Sequence, residues 1–155
     1  MQGRIEGRMF RLLSTHAPAA TVIIRLMVGA VFISEGIQKF LFPVEVGAGR
    51  FEKIGMPSPE VVAPFVGCFE IACGVLVLLG LATRLAVLPL IVIMLTALVT
   101  TKYPIFVDQG FWKMAHEART DWAMLLGCIF LLIVGGGRHS LDAILQGQSG
   151  RPGGD

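Results

Sequence analysis

The chain has 155 residues, 54% of them hydrophobic and only 15% charged, with a mean hydropathy of +0.73. Soluble domains carry about 25% charged residues, so this chain cannot cover a water-facing surface, and its length holds one membrane domain rather than two. A net charge of +2 with no basic patch excludes a nucleic-acid partner.

The first eight residues, MQGRIEGR, end in IEGR, which resembles a factor Xa cleavage site followed by a fresh start at Met9. Residues 1–8 read as a tag remnant and take no part in the fold argument. Met9 to Pro18 reads as an interfacial segment. The stretch from Ala20 to Leu41 is the first span, because about 22 residues cover roughly 33 Å, the thickness of a bilayer's hydrocarbon core. It nevertheless carries Arg25, Glu35, Gln38 and Lys39. Ionisable groups at membrane depth are costly, so they are expected to face the bundle interior and to mark a functional site.

Pro43 stops this helix. Val44 to Pro59 is rich in Gly, Pro and charge and reads as an extramembrane loop, with one amphipathic turn in RFEKIGMP. Helix 2 is expected from Val61 to Leu81, with Gly67, Glu70 and Gly74 close to one face. Small residues on that face let a neighbouring backbone approach. Ala82 to Arg84 turns into helix 3, Leu85 to Thr101, which Lys102, Tyr103 and Pro104 end. Ile105 to Lys113 reads as a second loop, with aromatics suited to the membrane interface. Helix 4 runs from Met114 to the glycine stop Gly135-Gly136-Gly137, and residues 147–155 read as a disordered tail.

The expected fold is therefore an all-α integral membrane protein, an antiparallel four-helix transmembrane bundle within residues 9–146, with helices near 20–41, 61–81, 85–101 and 114–134. An even number of spans puts both termini and Arg84 on one side, with the loops 45–59 and 102–113 on the other. We read the termini as cytoplasmic, although the Lys/Arg tally favours the loop side.

Helical rise converts position into depth. Measured from the terminal side, Arg25 lies at roughly 8 Å, Glu70 at roughly 16 Å, Glu35 and Asp121 at roughly 21–22 Å, and Lys39, His116, Glu117 and Arg119 at roughly 24–29 Å. Three helices thus place ionisable groups in the half of the bundle away from the termini. Glu35 and Lys39 are an i,i+4 pair in the favourable order and can bridge. Glu70 has no partner on its own helix, so it must find a donor across the bundle or carry a proton itself.

A buried pair of carboxyls, Glu35 and Glu70, suits proton delivery to a reacting carbonyl. The bland reading is that both are hydrogen-bonding glue between helices. Glu117 and Asp121 read as acids at a cavity mouth, paired with Arg119 or Lys102. Trp112 and Trp122 read as interface anchors, with stacking on an aromatic ligand as the alternative for Trp122. No metal site is expected: His16 and His139 fall on the terminal side, away from His116, and Cys68, Cys73 and Cys128 form no CxxC or ligand cluster. Haem, flavin and iron–sulfur groups likewise lack their ligand patterns.

The strings RLMVGAVFISEGIQKF, GMPSP, GCFEIACGVLVLLGLATRLA and GGGRHSLDA together resemble the DoxX family of small four-helix membrane proteins, over about Arg25 to Ala143. The resemblance implies a bacterial inner-membrane protein and suggests quinone-linked redox metabolism, since one relative is similar to the small subunit of thiosulfate:quinone oxidoreductase. Arg25, Glu35, Lys39, Glu70, Arg84, Arg138 and Asp142 fall within the matching strings. With no redox centre of its own, such a chain takes electrons from a partner or a reduced substrate.

Three functions follow as expectations. The first is a quinone-site subunit, with Glu35 and Glu70 relaying protons and Arg25, Lys39, Asp121 and Trp122 around the ligand. The second is a non-catalytic accessory or scaffold subunit of a larger membrane complex. The third, a proton-coupled carrier, is disfavoured by the lack of broken helices or repeats. A lipid-sized apolar cavity open toward Glu70 would favour the first, and a tightly packed, dry cluster the second.

Overall fold

The computed structural model describes residues 19–149, so residues 1–18, with the expected tag remnant and interfacial segment, and residues 150–155 lie outside the described residues. Within them every element is helical: α1 (Thr21–Leu41), α2 (Ala48–Lys53), α3 (Pro59–Leu79), α4 (Thr83–Ala97), a π-helical turn (Leu98–Lys102), α5 (Tyr103–Gln109), α6 (Phe111–Glu117), α7 (Arg119–Val134) and α8 (Leu141–Ser149). Three stretches are long and apolar enough to cross a membrane: Thr21–Leu41, Pro59–Leu79 and Thr83–Gln109. The fourth long segment is α7, whose 16 residues rise about 24 Å. Ile23, Leu26, Val75, Leu126 and Ile133 point outward; on a multi-pass membrane protein such side chains meet lipid rather than water.

The packing is antiparallel throughout. Gly29 of α1 lies against Gly74 of α3, and Gly36 against Gly67, so the early part of one helix meets the late part of the other. A Cβ on Gly36 would come within 2.7 Å of the Gly67 carbonyl oxygen, and one on Gly74 within 3.0 Å of the Gly29 oxygen. Only glycine lets the two backbones approach this closely. At the other pair, Arg84 at the start of α4 donates to the Ile133 carbonyl at the end of α7 (2.9 Å).

The core fills one half of the bundle. Val28, Phe32, Val77, Val87, Leu90, Cys128 and Leu131 are fully buried and form one cluster from α1, α3, α4 and α7, all on the side where the described chain begins. At that end Arg25, only 3% exposed, donates from Nε to the Val77 carbonyl (2.9 Å), from Nη1 to the carbonyls of Gly136 (3.1 Å) and His139 (2.5 Å), and from Nη2 to the Leu78 carbonyl. Val77 and Leu78 belong to the last turn of α3, where carbonyls lack helical partners and the helix dipole favours a cation. Gly80, with φ of 67°, closes the same helix: its N–H donates to Val77 and the Leu81 N–H to Leu76. Asp142 completes the knot, accepting from the Ala82 N–H (2.7 Å) and Thr83 N–H (3.1 Å) and so capping the start of α4.

Three expectations are corrected. Helix 3 does not end at Lys102-Tyr103-Pro104; it passes through the π-helical turn into α5, because Pro104 sits in the first turn of α5, where its missing N–H costs nothing. The expected loop 105–113 is instead helical, α5 turning into α6 at Gly110 (φ 84°). Helix 4 breaks at Ala118, where Arg119 Nη1 donates to the His116 carbonyl (2.6 Å) and satisfies an end of α6.

The antiparallel arrangement makes a prediction about sidedness. In a background without Cys68, Cys73 and Cys128, single cysteines at positions 50 and 138 should react with impermeant thiol reagents from opposite faces of sealed vesicles. Reaction of both from the same face would overturn the four-span arrangement.

Candidate functional site

The other half of the bundle is open. A cavity of about 680 Å³ lies among α1, α3, α4 and α7, roofed by α2 and the turn after it, and floored by the core residues Phe32 and Met124. That volume is in the range of ~300–1,000 Å³ typical of small-molecule sites. Most of its wall is apolar. Thr96, Thr100 and Thr101 also line it, but each hydroxyl donates to a carbonyl one turn back in its own helix (2.9, 2.8 and 2.6 Å), so these residues add little free polarity.

The sequence brought four of its candidate residues here. Glu35, Lys39, Glu70 and Asp121 all line the cavity. Lys39 Nζ is 2.6 Å from Glu70 Oε2, and the two side chains are only 9% and 3% exposed. Glu70 therefore finds its donor across the bundle, on α1. The expected Glu35–Lys39 bridge gives way to this pair: Lys39 Nζ reaches the backbone carbonyl of Glu35 instead, at 3.4 Å. Gly36 makes the pair geometrically accessible, since a Cβ there would lie 3.1 Å from that of Glu70. The missing side chain lets α3 set Glu70 against α1 within reach of Lys39.

At the wide end the cavity is lined by Arg50, Lys102, Glu117 and Asp121. Lys102 Nζ lies 3.3 Å from Asp121 Oδ2, and Lys113 Nζ lies 3.0 Å from Glu117 Oε1. The hydrogen bond from Lys113, and its charge, hold the exposed Glu117 carboxyl below its ordinary range. The π-helical turn carries Lys102 to this rim, and π turns often accompany functional sites.

Two candidates are elsewhere. Arg25 directs its donors to four backbone carbonyls at the closed end and does not line the cavity. Trp122 does not line it either, and its side chain is half exposed on the outside of α7. Sequence reasoning missed Arg50, which it placed in a loop. The charge-rich helix AGRFEK, roofing an otherwise apolar opening, was the signal available. Among the described residues no group of three or more metal-ligating side chains comes together.

An apolar four-helix bundle that is packed solid at one end and hollow at the other, with an ion pair set into the hollow, is a multi-pass membrane protein with a cavity inside the bundle. The chain belongs to the DoxX family, whose sequence profile matches residues 20–103. It is 53% identical over 142 residues to the uncharacterized membrane protein Rv3486 of Mycobacterium tuberculosis (strain ATCC 25618 / H37Rv), covering 88% of this chain and 87% of that one. It is 30% identical over 122 residues to CatD of Bacillus subtilis (strain 168), a protein provisionally named an oxidoreductase, covering 79% and 84% of the two chains. No solved structure matches the chain.

Proposed function

We propose that this chain is the quinone-site subunit of a bacterial inner-membrane oxidoreductase, with cytoplasmic termini and the polar mouth of its cavity on the opposite face. The observation that carries the reading is the Lys39–Glu70 ion pair in the wall of a largely apolar, lipid-sized cavity. A packed, dry cluster would have favoured a scaffold; a cavity of this size beside the pair supports a ligand. The name of the Bacillus relative adds a redox context.

The residues fit a quinone. Its ring suits apolar and aromatic walls, and its carbonyl oxygens need donors, which Lys39 Nζ supplies. A quinone bound here would take up two electrons and two protons. The chain's own residues handle the protons and the charge. Lys39, held between Glu70 Oε2 and the Glu35 carbonyl, has a further N–H to offer an acceptor in the cavity and stabilises negative charge developing there. Glu70 and Glu35 pass protons inward from the mouth, where Asp121 and Glu117 meet water. Arg25 is left out of this scheme, since its donors serve backbone carbonyls. Electrons come from a partner or a reduced substrate.

The test is binding to purified protein in nanodiscs. A quinone analogue should raise the melting temperature of the native protein. Glu35→Gln should weaken binding at least tenfold while leaving the ligand-free melting temperature within a few degrees, because an amide keeps hydrogen bonding but not the titratable proton. Glu70→Gln should lose binding and also lower that temperature, since it strands the Lys39 charge. If no analogue binds at any accessible concentration and both variants simply lose stability, the cluster is structural glue and the scaffold reading replaces this one.

A further inference from the structure

Part of the cavity wall is exposed within the apolar spans. Phe65 and Phe69 of α3 and Val92 of α4 line the cavity, yet they are 62%, 40% and 63% exposed. All three lie inside apolar spans, so the medium they meet is hydrocarbon and not water. Phe65 and Phe69 lie one turn apart on α3 with ring centroids 4.8 Å apart and planes tilted by 46°, forming one jamb of a gap. Val92 forms the other. On its far side α3 is sealed against α1 by the glycine contacts, so an exit beside Phe65 and Phe69 leads toward α4 and not toward α1. On this wall the Val92 carbonyl accepts a further hydrogen bond from Thr96 Oγ1. Lipid tolerates such an opening only where backbone groups are paired.

We infer that the cavity takes a bilayer-dissolved amphiphile, its polar ring against Lys39 and Glu70 and its long apolar tail leaving between α3 and α4. The inference rests on the quinone-site reading for the ring and extends it to the tail and the route. Moving a tail from lipid into a lipid-open gap changes its surroundings little, so the tail contributes by confining the ligand to the bilayer. That confinement raises the effective concentration at the gap. The polar ring, by contrast, lacks partners in hydrocarbon and gains them at the ion pair.

The experiment compares two quinones with the same ring, one tail-less and one bearing an isoprenoid tail, on native protein and on Val92→Trp in nanodiscs. The indole should block the gap, weakening the tailed quinone at least tenfold while changing the tail-less one less than twofold. If Val92→Trp leaves both affinities alone, or the tailed quinone binds no better than the tail-less one, the gap is not the route, although the ring site stands.

Should neither quinone bind the native protein, the ring reading fails and the gap is judged on its own. A tryptophan at position 32, with Trp112 and Trp122 replaced by phenylalanine, is buried behind the gap. Quenching by acyl-brominated lipid would show that lipid tails enter; unquenched emission would overturn the gap. Met94→Trp, also on the cavity wall, repeats the measurement if Phe32→Trp fails to fold.

Discussion

Arg25→Ala is expected to be the most destabilising single substitution in the chain, lowering unfolding free energy by about 3–5 kcal/mol. Its guanidinium serves carbonyls of Val77 and Leu78 at the end of α3 and of Gly136 and His139 in the loop after α7. Val77 keeps the Gly80 N–H, but each of the other three carbonyls left without a donor in a dry setting costs ~1–3 kcal/mol, although the losses will not add. Arg25 also attracts Asp142, which caps α4, so one residue ties together three helix ends. Arg25→Lys should recover only a minor part, because an ammonium cannot span carbonyls set around a planar fork. Unfolding of purified protein by a denaturing detergent would measure both. If Arg25→Lys is as stable as the native protein, the fork geometry does not matter and the clamp is only a charge.

The role of Arg25 shows where sequence reading stops. Composition and span length reveal a membrane bundle, and helical rise alone gathers Glu35, Lys39, Glu70 and Asp121 in one half of it, because depth is linear in residue number. The same arithmetic put Arg25 charged within the first span, roughly 8 Å from the terminal side and apart from that cluster, and its charge invited a ligand role. What decided otherwise was the carbonyls at the end of α3, and no residue type announces a carbonyl without a partner. The Lys39–Glu70 pair was hidden for a related reason. An i,i+4 rule sees Glu35 beside Lys39, but the rotation of α3 against α1, fixed by Gly29, Gly36, Gly67 and Gly74, sets which carboxylate the ammonium meets. The helical character of 103–113 was masked by Pro104, which read as part of a helix stop; it sits in a first turn, and Gly110 makes a tight junction between two helices.

Removing either half of the Lys39–Glu70 pair should cost more than removing both. The ion pair is nearly buried, and breaking such a pair by deleting one partner typically costs ~3–5 kcal/mol, since the remaining charge has no compensation, whereas replacing both with apolar residues of similar volume is often neutral. Lys39→Met should therefore destabilise strongly, leaving Glu70 against apolar neighbours on α1 and α3. Lys39→Met combined with Glu70→Leu should regain most of the loss, giving a coupling energy of about 2–3 kcal/mol in a double-mutant cycle. The double variant then separates stability from function. It should fold about as well as the native protein and keep the cavity, but bind no quinone analogue, because the donor and the titratable carboxyl are both gone. A double variant that is stable and still binds would leave the ligand held by the apolar wall alone. A double variant no more stable than Lys39→Met would mean that the two residues act independently, and that the 2.6 Å contact between them does not hold α1 to α3.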